Sequence, residues 1–233
     1  MIDFEKIKAD IEAVKNDEIL PPLSITAEIP AENKLVILID IVGFSKGNTK
    51  EQVYKIYAFE HYVIKHVLSN LFNIKNRIKI NQFIPTGDGC YIVADECEPK
   101  IALDFLTELI RGFQYIKDDD ENPWALRASA LIGECVPFLD LAHHKNYIGE
   151  GMNEAARILS YGQAALEKKF LEENPSAQII DAKHFSRNSL YVGESLSKEI
   201  IGYANQEENL YRLEKIADKH GKCRDITVLQ GLK

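Results

Sequence analysis

Long hydrophobic runs are missing from this chain. Its longest apolar stretches, such as Leu35 to Ile39, are far too short to cross a bilayer, so no membrane span is expected. The first residues, Met1-Ile-Asp-Phe-Glu-Lys6, are charged and hold no apolar signal core. Export is therefore not expected, and the cytoplasm is the expected location. An excess of positive charge is missing too: the net charge is −8 and the pI is about 5.3. Sequence-independent binding to DNA or RNA needs many Lys/Arg–phosphate contacts, which argues against a nucleic-acid partner. A nucleotide is still admissible, because metal ions can supply positive charge locally. Cysteine is sparse and scattered (Cys90, Cys97, Cys135, Cys223), with no C-x-x-C pair. That pattern argues against a zinc or disulfide framework and fits inert thiols in a reducing compartment.

What is present is enough for a substantial core: 45% of the 233 residues are hydrophobic. One large domain with appendages is expected, with an N-terminal helix and connector over 1–32, a main domain over 33–215 and a tail over 216–233. Ile7, Ile11 and Val14 fall at helical spacing, and Pro21-Pro22 ends that helix. The body reads as strand 34–40, helix 50–72, strands 78–84 and 89–94, helix 98–117, a polar loop Asp118–Glu121, and strands 125–133 and 135–141. A short strand near 144–148, a helix over 150–170 and strands near 177–181 and 208–213 follow. Two helical stripes are expected to face the core: Val53, Ile56, Tyr57, Phe59, Tyr62 and Val63, then Ala102, Phe105, Leu106, Leu109, Ile110 and Phe113. This order predicts an α+β fold, a ferredoxin-like mixed sheet with flanking helices.

Two carboxylates carry the chemistry. Asp40 closes the run Lys34-Leu-Val-Ile-Leu-Ile-Asp40 and continues into Ile41-Val-Gly43-Phe44-Ser45. Asp88 sits at the turn Thr86-Gly87-Asp88-Gly89-Cys90. A carboxylate that ends a buried strand is costly unless it is paired or metal-bound. Gly43 lets the backbone approach a ligand closely, and the amides of Gly43, Phe44 and Ser45 can cradle phosphate oxygens. The carbonyl of Ile41 is then placed as a neutral metal ligand. Two acidic groups beside glycine-rich backbone outline a site for divalent ions and a triphosphate.

A third segment is Asn146-Tyr-Ile-Gly149-Glu-Gly151-Met-Asn153-Glu-Ala-Ala-Arg157. Asn153 and Arg157 are four apart, so one helical face carries both. An amide and a guanidinium there could orient a ribose and neutralise charge on a transferring phosphoryl group.

The segments DIVGFS, TGDG, ASALIGE (Ala128 to Glu134) and YIGEGMNEAAR, in this order and spacing, resemble the cyclase homology domain of class III nucleotidyl cyclases. The resemblance spans roughly 33–215. It implies that Asp40, Asp88 and the Ile41 backbone hold two Mn²⁺ or Mg²⁺ ions. It also implies that Asn153 orients the ribose and that Arg157 stabilises the transition state. The implied reaction turns a ribonucleoside triphosphate into a 3′,5′-cyclic monophosphate and pyrophosphate. The implied assembly is a head-to-tail homodimer, with metals on one chain and the Asn/Arg helix on the other.

Departures from the family pattern bear on the base. Adenylyl cyclases of this family place a Lys four residues before the second metal aspartate and an Asp or Thr seven before the Asn; guanylyl cyclases place Glu and a small residue there. Here those positions are Ile84 and Asn146. The family's later phosphate-contacting Lys is missing before Tyr211, with Lys198 a weak substitute. The stand-alone form is similar to the bacterial pyrimidine cyclases of antiphage defence, whose product activates a separate effector. That similarity implies a pyrimidine substrate, UTP ahead of CTP. The alternatives are an adenylyl cyclase with an atypical base pocket and a non-catalytic nucleotide-binding module. A diguanylate cyclase is disfavoured, because TGDGC stands where a GG[DE]EF turn would be.

Overall fold

The first strand, β1 (Glu32–Val42), is buried on both faces, which is why it reads as an unbroken apolar run. Side chains alternate along it, so Leu35, Ile37, Ile39 and Ile41 enter one core while Val36 and Leu38 enter a second. The same alternation aims Asp40 at the second face. The computed structural model describes residues 30–65, 78–113, 125–139, 145–203, 210–219 and 221–230. The N-terminal helix over 3–16, its connector and the loop Asp118–Glu121 lie outside the described residues.

The other strands are β2 (Ile80–Pro85), β3 (Gly89–Asp95), β4 (Ala125–Leu139), β5 (Lys145–Ile148), β6 (Ser189–Gly193), β7 (Leu210–Ala217) and β8 (Cys223–Gln230). They form a sheet in the order β2-β3-β1-β4-β6-β8-β7, with β5 paired to β4. Only the β4–β6 pairing is parallel among these ladders.

Helix α1 (Thr49–Ala58) opens with a capping box between Asn48 and Glu51 and runs into a π-helical turn, Phe59–Ile64. Further along come α2 (Pro99–Phe113), α3 (Glu150–Glu173), α4 (Ile179–Phe185) and α5 (Glu194–Tyr203). Ala58 and Phe59, then Ala102, Phe105, Leu106 and Leu109 of α2, and Leu196 of α5 cover the first face. Ala155, Ile158, Leu159 and Leu166 of α3 cover the second. The expected α+β arrangement of a mixed sheet with flanking helices is what the structure shows.

Several element readings are corrected. Residues 125–139 form one strand, not two. The run at 177–181 is the start of helix α4, opened by a capping box between Gln178 and Asp181; a short apolar run does not by itself separate strand from helix. Strands β6 and β8 and helix α5 were not anticipated by periodicity. β8 lies beyond residue 215 and is paired on both sides, so the sheet continues to Gln230. The α2 stripe is buried through Leu109, whereas the earlier stripe is buried only in part: Phe59 is in the core and Ile56 packs against it, but Val53 and Tyr57 are 64% and 55% exposed. Tyr57 stacks instead on His61, with ring centroids 4.2 Å apart.

All four cysteines are free, and burial pushes the Cys90 thiol up to about 12 and that of Cys135 to about 11. Among the described residues no helix is long and apolar enough to cross a membrane.

Helix α3 begins hard against β4. A methyl group on Gly133 would lie 2.8 Å from Gly151 Cα, and one on Gly151 would lie 3.0 Å from the Gly133 carbonyl carbon. Backbone meets backbone there, so neither side can give. Gly133→Ala should lower stability by about 1–3 kcal/mol, read by urea unfolding. A loss below about 0.5 kcal/mol, the level of a neutral surface change, would show that the contact relaxes.

Candidate active site

The site grows from one end of β1. Asp40 pairs across the ladders with Gly89 of β3 and with Arg127 of β4. The Ile41 amide donates to the Asp88 carbonyl at 2.8 Å, and the Thr86 amide donates to the Gly89 carbonyl at 3.0 Å. Amide and carbonyl of one strand residue face the same side, so the Ile41 carbonyl also faces the Gly87–Gly89 turn. Gly87 holds the turn with φ 95°, a conformation that favours glycine. Any side chain on Gly89 would collide with the Ile39 carbonyl oxygen. Glycine at that position is what lets the turn close down on β1.

The result is contact between the two aspartates. Burial raises the Asp40 carboxyl above the ordinary carboxylate range; Arg127 opposes this by charge and hydrogen bond, and Asp88, within hydrogen-bonding range, adds to it. Arg127 Nε donates to Asp40 Oδ2 at 2.5 Å, and its Nη1 donates to Gln163 of α3. Two carboxylates in contact, one of them raised by burial, form a site that a divalent cation would relieve. Among the described residues no cluster of three or more His, Cys, Asp or Glu side chains is arranged for a metal. An ion here would complete its shell from the Ile41 carbonyl, water and phosphate oxygens, as hard cations do. The residues therefore fit the expected group.

Beyond Asp40 the chain turns at Gly43, with φ 72°, into a 3₁₀ turn, Phe44–Lys46. The amides of Phe44 and Ser45 open that turn and have no intrahelical carbonyl to bond. They lie three and four residues past Ile41, and among the described residues neither donates to another backbone carbonyl outside the turn.

Asn153 and Arg157 are elsewhere. Both sit in the first two turns of α3, over Gly133 of β4, with Asn153 exposed. Gln163, ten residues beyond Asn153 and six beyond Arg157 on the same helix, is the one that reaches Arg127 beside Asp40. At about 1.5 Å per helical residue these separations are about 15 and about 9 Å. The strand agrees: Asp40 pairs with Arg127, whereas Gly133 pairs with Lys34, six positions and about 20 Å away. A single chain thus brings Asp40 to Asp88 but keeps Asn153 and Arg157 apart from them.

Arg157 donates to Glu150 Oε1 at 2.7 Å and to Glu154 Oε2 at 3.4 Å. Glu154 in turn holds Arg224 of β8, whose nearly buried guanidinium also donates to Asp218 Oδ2 at 2.9 Å. Burial alone would raise the Glu154 carboxyl, yet Arg224, Lys222 and Arg157 together hold it below its usual range.

The two base-pocket positions are half-buried. Ile84 of β2 packs with Tyr91 and Met152 against the second core. Asn146 of β5 accepts from the Tyr147 amide through Oδ1 at 2.8 Å; β5 lies beside β2. Arg127 and Gln163 were not singled out by sequence reasoning. Arg127 directly precedes the ASALIGE segment, but only the register places it opposite Asp40.

No family model matches the chain, and no curated protein matches it. Solved structures do. The catalytic core of a rhodopsin-guanylyl cyclase with converted specificity, in complex with ATPalphaS, superposes with a TM-score of 0.56 at 14% identity, over 88% of this chain and 99% of that one. The guanylate cyclase domain of RhGC from Catenaria anguillulae, in complex with GTP, gives 0.55 at 15% identity, over 87% and 98%. An adenylate/guanylate cyclase/hydrolase from Silicibacter pomeroyi gives 0.55 at 13% identity, over 87% and 99%. At these identities the shared property is the fold, that of nucleotidyl cyclase domains.

The opposed influences on Asp40 give a pH test. Stabilisation by Mn²⁺, followed as a shift in melting temperature, should grow as pH rises and Asp40 ionises, and fade as pH falls toward the carboxylate range. Arg127→Met removes the charge that holds Asp40 down, so the profile should move to higher pH. An unmoved profile would show that Arg127 does not govern this carboxyl.

Proposed function

We propose that this protein is a nucleotidyl cyclase, working in the cytoplasm as a head-to-tail homodimer. The observation that carries the reading is the contact between Asp40 and Asp88 at the end of a strand, with Asn153 and Arg157 stranded at the other end of the sheet. A two-fold partner turned end for end would bring its Asn153 and Arg157 over the first chain's aspartates, and the reverse, giving two equivalent sites. The fold shared with solved nucleotidyl cyclase domains supports the same assignment.

Asp40, Asp88 and the Ile41 carbonyl would hold the two ions, Mn²⁺ or Mg²⁺, which when bound neutralise the triphosphate and acidify the ribose 3′-hydroxyl. The amides of Gly43, Phe44 and Ser45 donate to phosphate oxygens. Asn153 orients the ribose, and Arg157 stabilises charge on the transferring phosphoryl group. The 3′-oxygen bonds to the α-phosphorus, the bond from that phosphorus to the pyrophosphate oxygen breaks, and the hydroxyl proton leaves to solvent.

For the base, Ile84 offers no polar atom where purine cyclases of the family place Lys or Glu. With its Oδ1 taken by the Tyr147 amide, Asn146 keeps the Nδ2 donor for a base, which would match the O4 of uracil and mismatch the amino group of cytosine. This favours a pyrimidine, UTP ahead of CTP. The adenylyl alternative draws on the fold itself, since one solved relative of it holds ATPalphaS. A cyclic nucleotide is a diffusible signal, so a separate effector belongs to the proposal; the antiphage setting rests on the sequence resemblance alone.

The deciding experiment incubates purified protein with Mn²⁺ and each of the four ribonucleoside triphosphates and identifies the product by mass spectrometry. Cyclic UMP is expected. Turnover of ATP alone would defeat the pyrimidine reading and keep the cyclase; no turnover with any of them would leave the non-catalytic module. Asp40→Ala or Asp88→Ala should abolish turnover, and Arg157→Ala should lower kcat by about 10²-fold. Mixing inactive Asp40→Ala with the impaired Arg157→Ala protein should restore roughly a quarter of wild-type activity, because half of the dimers then hold one intact shared site. No recovery on mixing would place the whole site within one chain.

A further inference from the structure

An arginine stabilises a transition state only if its guanidinium is already aimed when charge develops. The Arg157 side chain is one-third exposed, so packing alone does not fix its long stem. Hydrogen bonds do the rest. Its Nη1 donates to Glu150 and to Glu154, seven and three positions earlier on the same face of α3.

Those two carboxylates are not equivalent. The Glu150 side chain is 54% exposed, and an ion pair open to water is weak and screened by salt. The Glu154 side chain is 14% exposed and is held from behind by β8. Arg224, buried at the start of that strand, donates from Nε to Glu154 Oε1 and from Nη2 to Glu154 Oε2 at 2.9 Å. A two-point grip of this kind fixes the plane of the carboxylate as well as its position. Arg224 is fixed in turn. Its Nη2 also donates to Asp218 Oδ2, and its Nη1 donates to the Lys222 carbonyl, each at 2.9 Å. Asp218 Oδ1 accepts from the Lys222 amide at 3.0 Å, which ties the end of β7 to the start of β8. A continuous chain of bonds therefore runs from the β7–β8 hairpin through Arg224 and Glu154 to the guanidinium of Arg157.

We infer that Glu154, locked by Arg224, is the positioning residue that aims Arg157 at the transferring phosphoryl group. The inference rests on the cyclase reading and adds to it what holds the arginine in place. Neither Glu154 nor Arg224 touches nucleotide or metal in this assignment; both act through Arg157. A phosphoryl group that draws Arg157 off Glu150 replaces only a weak, exposed pair. The contact with Glu154 stays, and with it the direction of the side chain.

The test is a double-mutant cycle in kcat, measured with Mn²⁺ and whichever of the four ribonucleoside triphosphates turns over fastest. Glu154→Gln keeps the shape and removes the charge; it should lower kcat at least tenfold and leave KM within twofold. Arg224→Met should act alike, and Arg224→Lys should recover part of the loss. In an Arg157→Ala background Glu154→Gln should cost less than twofold, because no guanidinium remains to be aimed. Glu172→Gln, which neutralises an exposed carboxylate further along α3, should leave kcat within twofold. Nitrogen-15 NMR of the Arg157 guanidinium, assigned by its loss in Arg157→Ala, gives a readout that needs no turnover. Held by Glu154, the group should rotate slowly and show separate Nη signals, and Glu154→Gln should merge them.

Unchanged kcat in a folded Glu154→Gln protein would overturn the inference and leave the enzyme assignment intact. So would an equal loss with Arg157 present or absent, which would make Glu154 a residue of the fold alone. Nη signals already merged in the wild type would also remove the clamp. Separate signals that merge in Glu154→Gln, in a wild-type protein that cyclises no nucleotide, would keep the clamp and overturn the cyclase reading instead.

Discussion

The closeness of two carboxylates at the end of a doubly buried strand is the constraint on which this molecule turns. β1 has no freedom to move: its side chains fill both cores, and both of its edges are paired. Asp40 is therefore fixed. Asp88 is brought to it by a turn that tolerates no side chain at Gly89, because the Ile39 carbonyl occupies that space. Like charges in contact are unfavourable, and Arg127 offsets this only in part, so the Asp40 carboxyl stays raised. Such an arrangement persists because the surrounding sheet is stable enough to impose it. Its natural complement is positive charge, which the proposed function supplies as divalent cations.

The second constraint is distance. α3 is a single helix of 24 residues whose first turns rest on Gly133 and whose middle reaches Arg127. A straight helix packed on a rigid sheet cannot fold back to bring Asn153 and Arg157 to the aspartates. The division of the proposed site between two copies then follows from the fold's dimensions and not from any special surface. Glu154 and Arg224 reinforce that division by tying the start of α3 to the β7–β8 hairpin through a largely buried ion pair. Removing one partner of such a pair leaves the other charge stranded, so the network favours one arrangement of Arg157.

Much of this was legible in the residues alone. The strand ending in Asp40, the hairpin carrying Asp88, the helix carrying Asn153 and Arg157 and the α+β class all follow from local pattern: apolar alternation, glycine at a tight turn, spacing of three and four. Strands β6 and β8 and helix α4 were not, because five to eight residues of mixed character are held in place by neighbours distant in sequence. The pairing of Arg127 with Asp40 depends on strand register. The sequence by itself determined which chemical groups the chain carries and the local elements that present them. Only the tertiary structure decided which of those groups touch, since contact between residues 36, 48 or 87 positions apart is set by sheet register and helix packing, which no short segment encodes.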